Sequence, residues 1–230
     1  MSIRALKQHL ELLQNCGISQ IYRSADISRA SAPPVPTVVS QNKAAQLASL
    51  AEAYAACTKC KLHEERIKLV YGDGDPNATV MVIGEGPGEQ ENIQGRPFVG
   101  RAGQLLDKML LAIHIPREEA YICNIVKCRP PGNRNPEADE RSSCMPYLME
   151  QIQIVQPKVF LLLGLVAAQT LLNTKESMTV LREQSLTLFD RPAYVTYHPS
   201  ALLRNPNWKR PAWEDLQRFQ VHYEMLRNAR

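Results

Sequence analysis

Four short apolar runs, each followed by a stretch of helical periodicity, constrain most what this chain can fold into. The runs are residues 79–84 (TVMVIG), 120–126 (AYICNIV), 158–164 (KVFLLLG) and 193–198 (AYVTYH). Segments this short, apolar and rich in β-branched or aromatic residues read as strands buried on both faces. Helical patterns lie between them at 102–113, 137–156 and 165–172, and another follows at 213–226. Pro146 is expected to start or kink a segment within the second of these. Strand and helix in alternation predict an α/β domain, a three-layer α/β/α sandwich around a central, mainly parallel four-stranded sheet. Ligands of such sheets bind at the carboxyl ends of the strands, so the loops after Gly84, Val126 and His198 are where function is expected.

At 230 residues and 44% hydrophobic content, the chain is long enough for one full core with length to spare. Residues 5–13 place Leu6, Leu10 and Leu13 at helical spacing, and the pattern ends near Gly17. Residues 24–41 turn to Ser, Ala and Pro and read as a linker. The organisation expected is a helical extension over 1–23, a linker over 24–41 and a folded domain over 42–230, opening with a helix at 43–56. No stretch approaches the ~18 apolar residues of a membrane span, and the N-terminus alternates charged and apolar residues instead of forming a secretory core. A soluble, cytoplasmic monomer is expected. The net charge of +4 and pI near 8.7 favour a polyanionic partner only mildly.

Cysteines add a second constraint. Cys57 and Cys60 form a C-x2-C pair, and Cys128 and Cys144 follow at a distance. In a reducing compartment such a set reads as metal ligands before disulfides. Four thiolates suit either a tetrahedral Zn2+ or a [4Fe-4S] cluster, and spacing alone does not separate the two. Cys16 and Cys123 are left over as buried or incidental thiols.

The loop after the first run reads GEGPGEQE from Gly84 to Glu91, followed by GRPFVGRAG from Gly95 to Gly103. Glycines let backbone N–H groups approach a ligand, and carboxylates can position water. A tight structural turn has the same look, and the loop lacks both the P-loop lysine and the dinucleotide spacing. After the second run comes NIVKCRPPGNRNP, from Asn124 to Pro136. Its asparagine amide can read the edge of a pyrimidine, and Lys127, Arg129 and Arg134 suit phosphates. The last loop, HPSALLRNP from His198, combines an imidazole, a hydroxyl, two leucines and an arginine.

Taken together, these loops resemble the family 4 uracil-DNA glycosylases, the iron-sulfur branch of the uracil-DNA glycosylase superfamily. The motifs occur in family order at the predicted strand ends, and the resemblance runs from about Cys57 to Leu226. It implies a DNA repair enzyme that flips uracil out of DNA and hydrolyses its N-glycosidic bond, leaving an abasic site. Four cysteines, Cys57, Cys60, Cys128 and Cys144, would hold a structural [4Fe-4S] cluster, ordering Lys127, Arg129 and Arg134 near the DNA. Phe98 would stack on uracil and Asn124 read its N3–O4 edge, with Asn133 helping to close the pocket. Glu85, Gly86 and Glu91 would exclude the thymine methyl, His198 would stabilise the uracil anion, and the Gly86 region with one of Glu85, Glu89 and Glu91, Glu85 first, would position water. Ser200, Leu202, Leu203 and Arg204 would contact the DNA, a leucine filling the vacated space. Uracil-containing DNA, single- or double-stranded, is the implied partner. The linker would let the first helix reach a repair or replication protein, or the helix would pack back on the domain. Two rivals are weighed: a covalent branch of the superfamily, whose histidine-containing insertion is missing from 127–136, and a non-catalytic iron-sulfur nucleic-acid-binding or redox-sensing protein.

Overall fold

The computed structural model describes residues 7–8 and 42–228. The sheet is built on the four predicted runs: β2 (Val80–Gly84), β3 (Ala120–Asn124), β4 (Val159–Leu163) and β6 (Arg191–Thr196). β2 pairs in parallel with β3 on one side and β4 on the other, and β4 pairs in parallel with β6. Two short strands extend it to six, correcting the four-stranded expectation. β1 (Asp73–Gly74) adds antiparallel to β3 and β5 (Leu186–Leu188) antiparallel to β6, giving the order β1-β3-β2-β4-β6-β5. Neither edge strand is long enough to register as an apolar run. The β5–β6 connection is a two-residue turn whose residues, Phe189 and Asp190, both have positive φ. That is the geometry which matches strand twist, reached here without the asparagine-glycine pair that usually signals it.

Because side chains alternate across a strand, the parallel strands feed two separate cores. Met81, Ile83, Phe160, Leu162 and Val195 pack on one face with Leu47, Leu148, Ile152 and Ala167. These come from α1 (Lys43–Tyr54), α4 (Ala138–Val155) and α5 (Leu165–Leu172). Val82, Ile122, Leu161 and Leu163 point to the other face and meet Leu106, Leu110, Leu216 and Phe219. Those belong to α3 (Arg101–Ala112) and α8 (Lys209–Asn228), so three layers are present as expected. The short helices α2 (Glu89–Gln94), α6 (Met178–Glu183) and α7 (Pro199–Arg204) complete the set.

Two helices differ from expectation for a reason involving proline. α4 runs unbroken through Pro146 from a capping box formed by Glu137 and Glu140. α8 starts at Lys209, ahead of the predicted 213, because Pro211 falls in a first turn whose N–H groups need no helical partner. The predicted 1–23 extension and 24–41 linker lie outside the described residues, apart from Lys7 and Gln8. The Gln8 side chain donates to Thr187 O at 3.1 Å and accepts from Phe189 N at 2.9 Å, meeting the β5–β6 hairpin.

Candidate active site

A cleft of about 510 Å3 opens at the carboxyl ends of the parallel strands. It is lined by Glu85, Gly86 and Glu91 after β2, by Asn124 and Asn133 around the loop after β3, by Gly164 after β4, and by His198, Ser200 and Arg204 after β6. Phe98 forms part of its floor and is itself buried. Four segments far apart in sequence thus meet at one place because parallel strands all end on the same side.

Phe98 is held in a backbone conformation that a bulky side chain avoids, with φ +52°. Such a conformation costs on the order of 1–3 kcal/mol and persists only where the surroundings over-determine it. Here the restraints are explicit. Arg117 donates to Pro97 O at 2.6 Å and to Phe98 O at 3.0 Å. On the other side, Glu91 Oε1 accepts from both Val99 N and Gly100 N at 2.8 Å. Gly103 leaves room for the turn, since a Cβ there would stand 1.9 Å from Phe98 O. Gly84 plays a matching part beneath the ring: a Cβ on it would lie 2.5 Å from both Phe98 Cζ and Asn124 Oδ1. The ring tip and the amide oxygen are therefore within about 5 Å of each other.

Asn124 is buried at the end of β3, and its Oδ1 has no hydrogen-bond partner among the described residues. Its backbone oxygen accepts from Lys127 Nζ at 2.8 Å. The same ammonium group meets Gln151 Oε1, whose amide nitrogen donates to Tyr71 O at 2.7 Å and Tyr121 Oη at 3.0 Å. Lys127 is 0% exposed. Burial drives its pKa down. This corrects the expectation that Lys127 faces DNA: its ammonium group is buried and bonded to Asn124 O at the end of β3 and to Gln151 Oε1.

His198 is the N-cap of α7, and its Nδ1 lies 3.2 Å from Ser200 N and 2.8 Å from Ser200 Oγ. A backbone N–H can only donate, so Nδ1 is the acceptor and the ring proton sits on Nε2. Nε2 is buried and without a partner among the described residues. Burial, with the Arg204 cation adding to it and Glu91 opposing, pulls the His198 pKa down to about 4. The imidazole is thus neutral at ordinary pH and offers one N–H. Its ring lies 5.5 Å from that of Phe98. A Gly164 Cβ would stand 3.0 Å from His198 Cβ, so the positive-φ glycine after β4 is what lets the two loops approach.

The glutamates separate by environment. Glu91 is buried with one oxygen committed to the Phe98 turn, and Glu89 is exposed. Glu85 is half-buried in the cleft, and no hydrogen bond or ion pair holds its carboxylate among the described residues. Burial raises its pKa, with Arg141 and Arg204 opposing.

Of the residues expected at DNA, Ser200 is engaged with His198, and Leu203 and Arg204 are exposed on α7. Leu202 is only 2% exposed and packs into the core beside α3 and α8, so it cannot reach a groove. Arg134 is tied to the fully buried Glu140 by two hydrogen bonds of 2.6 and 2.8 Å, which leaves it little freedom to follow a phosphate. Arg129 donates to the Asn133 side chain at 2.8 Å on the exposed rim. Arg117, Gln151 and Trp208 were missed by sequence reasoning. Nothing local marks a lone arginine, a mid-helix glutamine or a loop tryptophan as belonging to a site assembled from distant segments.

Cys57, Cys60, Cys128 and Cys144 line one small crevice behind the cleft, while Cys123 is buried in the sheet core. Donors surround the sulfurs: Tyr147 Oη lies 3.1 Å from Cys57, Lys127 N donates to Cys144 at 3.2 Å and Arg66 to Cys128 at 3.5 Å. Among the described residues, no three His, Cys, Asp or Glu side chains converge closely enough to share one metal ion. A single Zn2+ with bonds of ~2.3 Å would require thiolates about 4 Å apart.

The sequence profile of the uracil DNA glycosylase superfamily matches residues 71–217. A type-4 uracil-DNA glycosylase of Thermotoga maritima is 42% identical over 173 residues, spanning 74% of this chain and 90% of that protein. Proteins of the same description from Sulfurisphaera tokodaii and Pyrobaculum aerophilum are 40% and 38% identical, each spanning at least three quarters of both chains. The match takes in the strand-end loops that build the cleft, and on these grounds the chain belongs to the type-4 branch of the uracil-DNA glycosylase superfamily.

Proposed function

We propose that the protein excises uracil from DNA by hydrolysing the N1–C1′ bond, leaving an abasic site. The observation that carries this is the pair of buried, unpartnered polar atoms, Asn124 Oδ1 and His198 Nε2, on either side of Phe98 in one cleft. Buried polar atoms are nearly always hydrogen-bonded, and leaving one unpaired costs about 1–3 kcal/mol. An acceptor and a donor kept open together call for a ligand that offers a donor and an acceptor in return. Uracil does so, with N3–H for the Asn124 oxygen and O2 for the His198 N–H. Cytosine has no N3 proton and would leave Asn124 Oδ1 unmatched.

In the reaction the electron pair of the N1–C1′ bond leaves with the base, and water adds to C1′. Negative charge then grows on O2 and N1. The fixed His198 N–H is already oriented to meet it, so no reorganisation is needed as the charge appears. Phe98 supplies an apolar face for the ring, and the Glu85 carboxylate, free and half-buried, is placed to orient the attacking water. Glu91 acts one step back, as a positioning residue for the Phe98 turn. Exclusion of thymine falls to the wall of Glu85, Gly86 and Glu91.

Cys57, Cys60, Cys128 and Cys144 are proposed to hold a [4Fe-4S] cluster. Four soft thiol ligands gathered in one crevice, with N–H donors around them, suit a multi-iron group. When bound, it would cross-link the segment before β1 to the loop after β3 and to α4. About four irons and four sulfides per chain, with broad visible absorption, are expected of anaerobically purified protein. Colourless protein carrying stoichiometric zinc would refute the assignment.

The test of function is release of uracil from a synthetic oligonucleotide, read as alkali-labile abasic sites, beside matched thymine and cytosine strands. Cleavage at uracil alone is expected. No release, or equal release from thymine, would sink the proposal.

A further inference from the structure

Among the residues lining the cleft is Trp208, 39% exposed. A large aromatic left in solvent beside a site calls for a reason, because hydrophobic burial would otherwise favour covering it. Its ring is not loose. It lies nearly parallel on Tyr197, with centroids 5.0 Å apart and planes 13° from each other. Arg182 caps the Tyr197 ring at 4.8 Å and must take the opposite face, since Trp208 covers the first. Arg182 is anchored in turn by Asp215 through bonds of 2.6 and 2.9 Å, and Asp215 also accepts from Thr196 Oγ1. The turn that carries Trp208 is closed by Asn205, whose side chain accepts from Asn207 N at 3.2 Å. From the buried carboxylate outward, each group immobilises the next.

A tryptophan already ordered gives up little rotamer entropy when another ring stacks on its open face. Lys209 follows it directly in the chain and Arg204 lines the same cleft, both exposed and neither ion-paired among the described residues. A flat apolar face with two cations on the adjoining segments suits a nucleic-acid strand, which presents a base between phosphates. We propose that the exposed face of Trp208 is a stacking subsite for an unpaired base next to the nucleotide in the cleft, with Arg204 and Lys209 at its phosphates. The subsite presupposes the DNA substrate assigned above and adds a preference to it. In a duplex a neighbouring base is held by its pair and its remaining stack, so single-stranded or locally melted DNA reaches the platform more readily. Trp208 therefore sets discrimination between single and double strands.

The test pairs a protein change with a substrate change. Trp208→Leu keeps apolar packing on Tyr197 but removes the stacking face, and Trp208→Phe keeps a smaller one. On single-stranded uracil oligonucleotides, Trp208→Leu is expected to weaken binding about 10-fold and Trp208→Phe much less. Replacing the base on one side of the uracil by a baseless tetrahydrofuran nucleotide should cost the wild type the same factor and cost Trp208→Leu nothing further. On duplex the losses should be smaller. Equal binding by Trp208→Leu and wild type, or the same loss in both proteins when either neighbouring base is removed, would overturn the proposal. A separate reading needs no catalysis. Trp213→Phe leaves Trp208 as the sole tryptophan, and oligothymidine should quench its fluorescence whereas a baseless strand should not. Absence of that difference overturns the platform. Failure of the wild type to release uracil, with quenching intact, would overturn the assigned reaction instead.

Discussion

Cleft and cysteine crevice lie on either side of the loop after β3, yet they treat polar atoms in opposite ways. In the crevice the sulfurs of Cys57, Cys128 and Cys144 are met by donors from the protein itself. In the cleft, Asn124 Oδ1 and His198 Nε2 are buried and left open. A region whose polar groups are satisfied internally stabilises the fold; one whose groups await a ligand gives up stability for binding. The loop from Lys127 to Arg134 joins them, anchored by Cys128 behind and lining the cleft in front.

The largest effects should separate the two regions cleanly. His198→Ala and Asn124→Ala are expected to lower single-turnover uracil excision about 100-fold each, the usual scale for losing one preorganised contact to developing charge. Their thermal midpoints should stay near wild type. Cys144→Ala should do the reverse, lowering the midpoint by about 10 °C or more as a cross-link is lost. Circular-dichroism melts beside excision rates distinguish the outcomes. A Cys144→Ala protein of native stability that fails to excise uracil would erase the contrast.

A mid-sized effect is expected at Lys127, where the regions touch. Its ammonium group holds Asn124 O and Gln151 Oε1, while its amide donates to Cys144. Lys127→Met fits the space but leaves two buried acceptors unpaired, at about 1–3 kcal/mol each by the usual scale. Stability and excision should therefore fall together, excision by about 10-fold through misplacement of Asn124. If stability falls with no change in rate, Lys127 belongs to the crevice alone.

How far these relations could be read from the sequence depends on their range. The apolar runs at 80–84, 120–124 and 159–163 announce themselves locally, and parallel pairing follows from the helices between them. Asn124 and His198 were legible because they stand at or just past strand ends, where topology brings loops together, whereas Phe98, beyond α2, was named through the resemblance carried by GRPFVGRAG. Lys127 was misread because a lysine between Asn124 and Arg129 looks like part of a basic loop. Its burial depends on Gln151, 24 residues away on a helix. Leu202 and Leu203 look alike in HPSALLR, and only the direction of α7 decides that the first is core and the second exposed. The positive φ of Phe98 has no local signature, since the restraints come from Glu91, Gly103 and Arg117.

Acid should also tell the regions apart. The His198 pKa is depressed from 6.5 to about 4, so the unfolded chain binds more protons between those values. Stability from this group is fully present above about pH 6.5 and is lost as pH falls toward 4. Urea melts near pH 7 and near pH 5 should show a smaller loss for His198→Asn than for the wild type. Excision, in so far as it depends on His198, should be flat from about pH 6 to 8. Equal losses in the two proteins would mean that His198 is not buried as a neutral donor.

The smallest effect carries the finest distinction, because Glu85 and Glu91 both line the cleft and only one is free. Glu91 Oε1 accepts two backbone N–H groups beside Phe98, a task that an amide oxygen performs as well as a carboxylate. Glu91→Gln should therefore keep excision within about 3-fold of wild type, whereas Glu91→Ala should release the turn and lower it about 10-fold or more. If Glu91 instead activated water, glutamine would fail as badly as alanine, since neither can accept a proton. Glu85→Gln supplies the contrast: with no backbone to hold, its loss should appear in the rate and leave the melting midpoint unmoved. A Glu91→Gln enzyme as slow as Glu91→Ala would transfer the water-positioning role to Glu91 and move the boundary between scaffold and chemistry from the loop after β2 into α2.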